Sequence, residues 1–284
     1  MSNSSSHHVV LCADDYGMNA GVSRGILHLA ERGRISATSC MTNSPHWPEA
    51  GRALAALGAP IGIGLHLTLT WGRPLGAMPG FAGKGSMPPL RRVLGEAFVP
   101  GWGGPGRDAD IGREIARQLD AFGEVMGRPP DFVDGHQHVH VLPGIRAQLL
   151  DVLSGRGLAG RLWLRNPFDR MPAIVARRLS AAKALFVGAL AATFGRDARR
   201  AGFATNAGFS GFSPFDPARD PAADMKCYLA ALGPRPLVMC HPGLSDTSPD
   251  EIAGARLREF GYLESPEFIR DLESRGVALV PAPT

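Results

Sequence analysis

The sequence has 284 residues, 44% of them hydrophobic and 20% charged, which is the composition of an ordinary globular protein. The formal net charge is +4, and the basic residues are spread along the chain without a Lys/Arg-rich tract, so nucleic acid is excluded as an expected partner. A chain of this length is compatible with a single α/β barrel.

The four cysteines form no C-x-x-C motif, and each lies in an apolar context: Cys12, Cys40, Cys227 and Cys240. This pattern argues against a zinc ribbon or a disulfide framework and predicts a protein of the reducing cytoplasm. Residues 1–8 lack the apolar core of a signal peptide, so we expect a disordered tail or tag remnant before one domain over 9–284. No apolar run reaches the roughly 18 residues of a membrane span, and we expect a soluble protein.

Apolar runs typical of strands alternate with helical periodicity along the chain. The predicted strands cover 9–13, 35–41, 61–69, 132–133, 162–164, 237–240 and 277–280. The predicted helices cover 21–31, 47–57, 111–126, a segment around 149–153 and the segment after Ser265. This alternation predicts a parallel sheet. Two segments, 71–108 and 171–221, interrupt it, and we interpret them as inserted loops because 71–108 and 206–221 are rich in Gly and Pro.

The second inserted segment has two features with alternative interpretations. Phe209, Phe212 and Phe215 either stack on a sugar or cover an acyl chain, or they anchor the loop to the core. Within 171–194, apolar residues recur at helical spacing between arginines. Such a helix either lies at an anionic membrane surface or packs on the barrel or on a partner subunit.

Carboxylates and imidazoles end several of the predicted strands. Asp14 and Asp15 end the first one, where a nearby cation would keep both ionised, although one of them could instead cap the next helix. His66 lies on the same strand face as Gly62 and Gly64, whose small size would leave room for a ligand; the alternative is a hydrogen-bonded core histidine. Because the carboxyl ends of parallel strands line the functional face, we predict a metal site there.

The densest polar cluster follows the strand at 132–133. Asp134, His136, His138 and His140 fall within seven residues, a pattern typical of metal ligands. The three histidines would point the same way in an extended strand, although strand ends often bend out of that register.

Two further polar residues end strands. His241 precedes Pro242-Gly243 and is predicted to be a general acid or base, or a turn-capping residue. Arg165 is either a partner for a carboxylate or a surface arginine. No G-x-S-x-G, P-loop or G-x-G-x-x-G motif follows a strand, which argues against serine hydrolases, NTPases and nicotinamide enzymes.

At these residues the chain resembles the YdjC-like carbohydrate deacetylases, a family that includes diacetylchitobiose deacetylase. The similar segments are ADDYGMN at 13–19, MTNSP around Asn43, GLHLTLTWGRPL at 64–75, DGHQHVH at 134–140 and MCHPG at 239–243. The resemblance implies an irregular (β/α) TIM-like barrel that hydrolyses the N-acetyl group of an acetamido sugar. It also implies one divalent metal ion, Mg or Zn.

The same resemblance implies roles for individual residues. The implied metal ligands are Asp15, His66 and His136, with Asp14 as the catalytic base and His241 as the acid. The residues expected to bind substrate are Asn43, His138, His140 and Arg165. Substrate contact or orientation of His136 remain alternatives for His138 and His140.

The extended segment from Met171 to Phe215 resembles the family members associated with hopanoid lipid biosynthesis. This similarity implies an N-acetylglucosaminyl lipid as substrate. The amphipathic segment 171–194 adds peripheral contact with the inner membrane surface or a homodimer as further expectations. The alternatives are a metal-dependent hydrolase of another substrate, such as a phosphoester, and a non-catalytic sugar-binding protein. Asp14 and His241 argue against the latter, because neither is needed merely to hold an ion.

Overall fold

The computed structural model describes residues 7–98 and 105–284, in which a curled parallel sheet is surrounded by helices. The strands are β1 (His7–Tyr16), β2 (Ala37–Cys40), β3 (Gly62–Leu67), β4 (Phe132–Gly135), β5 (Trp163–Leu164), β6 (Ala204–Thr205), β7 (Phe209–Ser210), β8 (Leu237–Cys240) and β9 (Val277–Leu279). The helices are α1 (Ala20–Glu31), α2 (Trp47–Ala55), α3 (Leu90–Ala97), α4 (Pro105–Met126), α5 (Pro143–Gly155), α6 (Met171–Arg177), α7 (Ala181–Ala191), α8 (Phe194–Arg200), α9 (Pro221–Tyr228), α10 (Ala253–Glu264) and α11 (Pro266–Ser274).

The strand order is β6-β5-β4-β3-β2-β1-β8-β7, and neighbouring strands run parallel. β9 pairs in parallel with the first residues of β1. Across the described ranges β6 and β7 do not pair, so the sheet curls into a barrel that is open on one side. The expected irregular (β/α) barrel is therefore confirmed.

The alternation of side chains in β1 explains how the barrel is filled. Val9 and Leu11 face the core between sheet and helices, whereas Val10 and Cys12 join a second cluster of buried residues with Phe132. Both faces of β1 are thus covered, which is why this parallel strand is a continuous apolar run. Polar residues appear only where the strand ends.

The two inserted segments are not loops throughout. Residues 71–108 contain α3 and the start of α4, and residues 171–221 contain α6, α7 and α8 with two short strands. The helical pattern at 171–194 is broken by Arg178 and Ser180, whose φ angles of 55° and 48° are left-handed. Residues 1–6 of the expected tail lie outside the described residues, while His7 and His8 belong to β1.

α7 is apolar on two opposite sides. Ala184 and Val187 are buried in the same cluster as Val10, whereas Leu185 is 39% exposed and Phe186 is 53% exposed. One side therefore packs on the barrel and the other faces solvent. None of the helices in the part of the chain that is described has the length and apolar character needed to cross a membrane.

Candidate active site

The end of β1 brings two aspartates into one site through a bulge. The register of β1 against β2 shifts between Ala13 and Tyr16, and Asp15 has a left-handed φ of 71°. Neighbouring residues of a regular strand point to opposite faces, and a bulge re-aims one of them. Asp14 and Asp15 are both buried. Neither caps α1, because Asn19 accepts the hydrogen bond from the first turn of that helix.

Three donor atoms converge beside Asp15. Its Oδ1 lies 3.3 Å from His66 Nε2 and 3.1 Å from His136 Nδ1, and the three atoms lie within 4.8 Å of one another. Tetrahedral ligands at 2.0–2.1 Å from zinc lie roughly 3.3 Å apart, so this spacing fits one divalent ion. We call Asp15, His66 and His136 the metal triad.

His66 is oriented by groups behind it. Asp134 Oδ1 lies 2.7 Å from His66 Nδ1, and Ser39 Oγ lies 3.0 Å from the same nitrogen. A carboxylate that accepts Nδ1–H leaves Nε2 free for a metal ion. Burial disfavours the charged imidazole, but Asp134, Asp15 and Asp14 outweigh it and raise the pKa of His66 to about 10. The site therefore favours a positive charge at this point.

The space beside His66 is filled by protein. A Cβ atom on Gly64 would lie 2.4 Å from the ring of Phe132, and one on Gly62 would lie 2.4 Å from the carbonyl oxygen of Pro281. The interpretation that these glycines leave room for a ligand is therefore wrong. They are small because an aromatic ring and a backbone segment pack against them.

Arg165 binds Asp14 through two hydrogen bonds. Its Nη1 donates to Asp14 Oδ2 at 2.7 Å and its Nη2 to Oδ1 at 2.6 Å, and Nη2 also lies 2.6 Å from Asp134 Oδ2. Burial would raise the pKa of Asp14, but Arg165 outweighs burial and holds it well below its usual range. Arg165 has no exposed surface, so the expectation that it binds substrate is not met.

A second set of potential ligands lies around the same arginine. Cys12, Asp14 and Asp134 also bring three donor atoms within 4.8 Å. Arg165 Nη2 donates to Cys12 Sγ at 2.9 Å besides binding both carboxylates. The guanidinium supplies the positive charge that an ion would supply. We call these four residues the guanidinium cluster.

His241 directly follows β8 and lies next to Asp14. Its Nε2 lies 3.9 Å from Asp14 Oδ2, and its backbone N–H donates to Glu259 Oε2 at 2.6 Å. The ring of Phe215 contacts the imidazole at a centroid distance of 5.0 Å and an angle of 84°. Burial lowers the pKa of His241 to about 4, although the charge of Asp14 opposes it. The imidazole is therefore neutral near pH 7 and able to accept a proton.

The three histidines after β4 diverge. Residues His136–Val141 form a 3-10 turn in which Gln137 and His138 have left-handed φ angles of 54° and 60°. Only His136 reaches the metal triad. The extended arrangement, in which all three would point the same way, is not what forms.

His138 and His140 have separate surroundings. The ring of His138 packs edge-on against Phe209 and Phe212, both of which are buried. Phe209 and Phe212 are thus anchors of their segment, as one of the two interpretations held. His140 is fully buried, and its Nε2 lies 2.8 Å from the carbonyl oxygen of Arg165. His140 therefore fixes the end of β5 and has no surface for a substrate.

Asn43 connects the end of β2 to the first inserted segment. Its Nδ2 donates to the carbonyl oxygens of Trp71 and Arg73, both at 3.1 Å. Its Oδ1 is buried without a hydrogen-bond partner. Asn43 thus holds the segment with one amide atom and keeps the other as an acceptor.

Arg256 and Glu259 were not expected from the sequence. Arg256 Nη2 donates to Asp15 Oδ2 at 2.7 Å, and Glu259 binds the backbone of His241. Both residues lie within α10, in a segment without a recognisable motif, so no sequence signal distinguished them from surface charges.

Comparison with known proteins agrees with the resemblance. The family model described as YdjC-like protein matches residues 8–274. A chitooligosaccharide deacetylase of Yersinia pestis (strain Pestoides F) is 36% identical over 138 residues, which cover 48% of this chain and 52% of the relative. A chitooligosaccharide deacetylase of Enterobacter sp. (strain 638) is 30% identical over 158 residues, which cover 54% and 58%. The matches thus span about half the length of these curated relatives.

A solved structure shares the fold. A protein of Enterococcus faecalis V583, for which a role in cellobiose-phosphate cleavage has been suggested, aligns with a TM-score of 0.69 over 97% of each chain at 23% identity. At this identity the similarity concerns the fold alone. The family match over residues 8–274 covers nearly the whole chain and shows that it belongs to the YdjC-like protein family.

Proposed function

We propose that this protein is a metal-dependent hydrolase that removes the N-acetyl group of an acetamido sugar and releases acetate and the free amino sugar. The observation that carries the proposal is the metal triad next to Asp14 and His241. One face of the barrel thus offers a place for a divalent ion, a carboxylate and an imidazole. The half-length similarity to chitooligosaccharide deacetylases supports the substrate class.

The proposed chemistry divides the work between neighbouring groups. A divalent metal supplies Lewis-acid polarisation of the acetyl carbonyl and of water. Asp14, held by Arg165, accepts a proton from the attacking water. Asp14 Oδ2 and His241 Nε2 are 3.9 Å apart, a separation that one water molecule can bridge, so the proton would pass to the imidazole through that water. His241 then protonates the departing sugar nitrogen, since an amine leaves poorly without a proton.

The donor set favours zinc over magnesium. Zinc accepts two imidazoles and one carboxylate, whereas magnesium prefers oxygen ligands. We propose that His66 binds through Nε2 and His136 through Nδ1, the atoms that face Asp15 Oδ1. Chelator-treated protein reloaded with zinc or magnesium tests this choice. We expect one tightly bound zinc per chain and weaker binding of magnesium.

Asn43 and His138 remain the proposed contacts for the sugar. Asn43 keeps a free acceptor oxygen, and His138 keeps Nδ1 without a hydrogen-bond partner. An acetamido sugar carries both hydroxyl donors and an amide N–H, which suit such acceptors. The buried Arg165 and His140 are left as residues that shape the site.

We further propose a lipid-linked acceptor, such as an N-acetylglucosaminyl hopanoid, reached from the inner membrane surface. Met171 and Val175 on α6 and Phe186 on α7 are more than half exposed. On α7, Lys183 Nζ lies 4.6 Å from the centroid of the Phe215 ring. α7 thus connects exposed apolar side chains to the ring that covers His241, as a route for a lipid-linked sugar requires.

Acetate release tests the proposed function. Metal-loaded protein is incubated with N-acetylglucosamine oligosaccharides and with an N-acetylglucosaminyl lipid in vesicles, beside chelator-treated protein. We expect acetate only from the metal-loaded protein and faster release from the lipid-linked substrate. Release of phosphate from phosphoesters without any acetate would instead support the alternative hydrolase, and sugar binding without turnover would support a binding protein.

The lipid proposal has its own test. Replacing Leu185 and Phe186 with Ser should slow the lipid-linked substrate and spare the soluble one. If the same variant changes the oligomeric state, this surface is an interface between two copies. If neither activity nor assembly changes, the surface has no part in substrate delivery.

A further inference from the structure

α10 contacts both halves of the candidate site. Arg256 and Glu259 are three residues apart and so lie on the same face of the helix. Arg256 reaches Asp15 of the metal triad, and Glu259 reaches the backbone of His241. One rigid element therefore touches a proposed metal ligand and the proposed acid, which come from opposite ends of the chain.

Arg256 selects which oxygen of Asp15 faces the metal triad. Its Nη2 occupies Asp15 Oδ2 at 2.7 Å, which leaves Oδ1 facing His66 and His136. Its Nε donates to Asp250 Oδ2 at 2.7 Å, and the side chain is buried. Because Arg256 is held at both ends, Asp15 can offer only one oxygen to an ion.

The turn that carries His241 is bonded to α10 at both ends. The His241 N–H donates to Glu259 Oε2, and the Gly243 N–H donates to the carbonyl oxygen of Arg256 at 3.2 Å. Pro242, between them, has no N–H. Both backbone donors of residues 241–243 therefore end on α10, so the position of the helix fixes the backbone that carries the imidazole.

We propose that Arg256 and Glu259 are positioning residues that set the metal triad against His241 through α10. The proposal rests on the proposed function and adds two roles to it. Arg256 acts on the metal triad, because it orients Asp15. Glu259 acts on proton transfer, because it orients His241 and contacts no residue of the triad. The two residues should therefore affect different measurements.

The Glu259 variants separate positioning from folding. Glu259→Ala should lower kcat about 10- to 100-fold with unchanged KM, since misplacing a reacting group by about 1 Å costs about 100-fold. Metal affinity should stay within about twofold. Glu259→Gln keeps an acceptor oxygen and should keep nearly full kcat. Glu259→Met, which preserves volume without that oxygen, should behave like Glu259→Ala even if the smaller variant folds poorly.

The Arg256 variants should change metal affinity, which the Glu259 variants should leave unchanged. Arg256→Ala should lower metal affinity about 10- to 100-fold, as for other groups that orient metal ligands, and Arg256→Lys should restore part of it. The control is Glu264→Leu on the same helix, which removes only ion pairs with His28 and Arg32 and should change neither quantity. Metal titration and kcat on soluble substrate are measured for every variant, with thermal unfolding as a check.

The amide resonance of His241 provides a readout that needs no activity. Its proton should shift upfield in Glu259→Met and stay in place in Glu259→Gln, because the short hydrogen bond is lost only in the former. Inactive wild-type protein would overturn the proposed function while metal titration and this resonance still test the inference. Equal loss of metal affinity and kcat in Glu259→Ala, or full kcat in Glu259→Met, would overturn the inference.

Discussion

The metal triad and the guanidinium cluster lie side by side at the end of β1, and in both sets three donor atoms lie within 4.8 Å of one another. In the guanidinium cluster, Arg165 bonds the thiol of Cys12 and both carboxylates. Beside the metal triad, Arg256 donates a hydrogen bond to Asp15 Oδ2. Asp15 Oδ1 and the two histidine nitrogens still face each other. Only one set, however, has an arginine bonded to all three of its donor residues. The position of the arginine therefore distinguishes the set that can take an ion from the set that cannot.

The adjacent residues Asp14 and Asp15 differ in how many of their carboxylate oxygens are bound by an arginine. Both oxygens of Asp14 accept hydrogen bonds from Arg165, so its position is rigid and its resting state is the carboxylate. Asp15 is only half saturated, so it can still bind a cation from outside. Adjacent carboxylates repel each other unless positive charge lies nearby, and here each has its own arginine.

Loss of the metal triad has the largest expected effect. Asp15→Ala, His66→Ala and His136→Ala should each reduce metal affinity by more than about 100-fold, since even groups behind metal ligands contribute 10- to 100-fold. Acetate release should fall to background. Metal content after gel filtration checks the result, and a variant that keeps one ion per chain would remove that residue from the triad.

Asp14→Asn should abolish turnover without releasing the metal. Asparagine has the shape of aspartate and cannot accept the proton, so kcat should fall about 100- to 10,000-fold. The metal content should stay at the wild-type value, because Asp14 is not in the triad. Near-normal acetate release by this variant would show that another group is the base.

The sequence predicted the parallel sheet and the polar residues at its strand ends. It did not predict the local backbone geometry and the partner residues that hold those side chains in place. Apolar runs that stop at Asp14, Asp134 or His241 predict a parallel sheet with polar residues at the strand ends, because burial on both faces requires such runs. The bulge at Asp15 and the 3-10 turn after β4 depend on local strain that periodicity does not show.

Residues that act from other elements were the hardest to predict. Arg256 looks like one of many arginines on a helix, and only the folded chain brings it to Asp15. The exposed side of α7 was predicted as one face of a longer amphipathic helix. Left-handed residues at Arg178 and Ser180 break that helix and redistribute its apolar side chains.

Removal of the cation in the guanidinium cluster tests why that set excludes an ion. Arg165→Met should lower the free energy of unfolding by about 3–5 kcal/mol, because both buried carboxylates, Asp14 and Asp134, would lose their arginine partner. Urea unfolding measures the change. The control is Arg128→Met, which removes an exposed pair with Asp131 and should cost less than about 1 kcal/mol.

Arg165→Met also tests whether charge or shape keeps an ion out of the guanidinium cluster. If the guanidinium supplies the charge of an ion, zinc should raise the Tm of Arg165→Met more than that of the wild-type protein, because three free donors then remain. An equal zinc effect on both proteins would mean that shape, and not charge, excludes the ion from this set.

The smallest expected effect is a pH dependence of stability from Glu259. Burial raises the pKa of this carboxyl to about 7, above its usual value of 4.5. The folded state therefore holds the proton more tightly than the unfolded state, so stability is full below about pH 4.5 and falls as pH rises through 7. Glu259→Gln should remove this part of the slope between pH 5 and 8. An unchanged slope would mean that other groups produce it.

The pairing of β1 also bears on the order in which the protein assembles. β1 carries both aspartates, yet its neighbours β8 and β9 are encoded near the other end of the domain. During synthesis, one edge of β1 waits without a partner until residues 237–240 and 277–279 have been made. An unpaired strand edge can pair with other chains, so the protein is most prone to aggregate before β8 and β9 have been synthesised. Catalytic competence is accordingly one of the last properties the growing chain acquires.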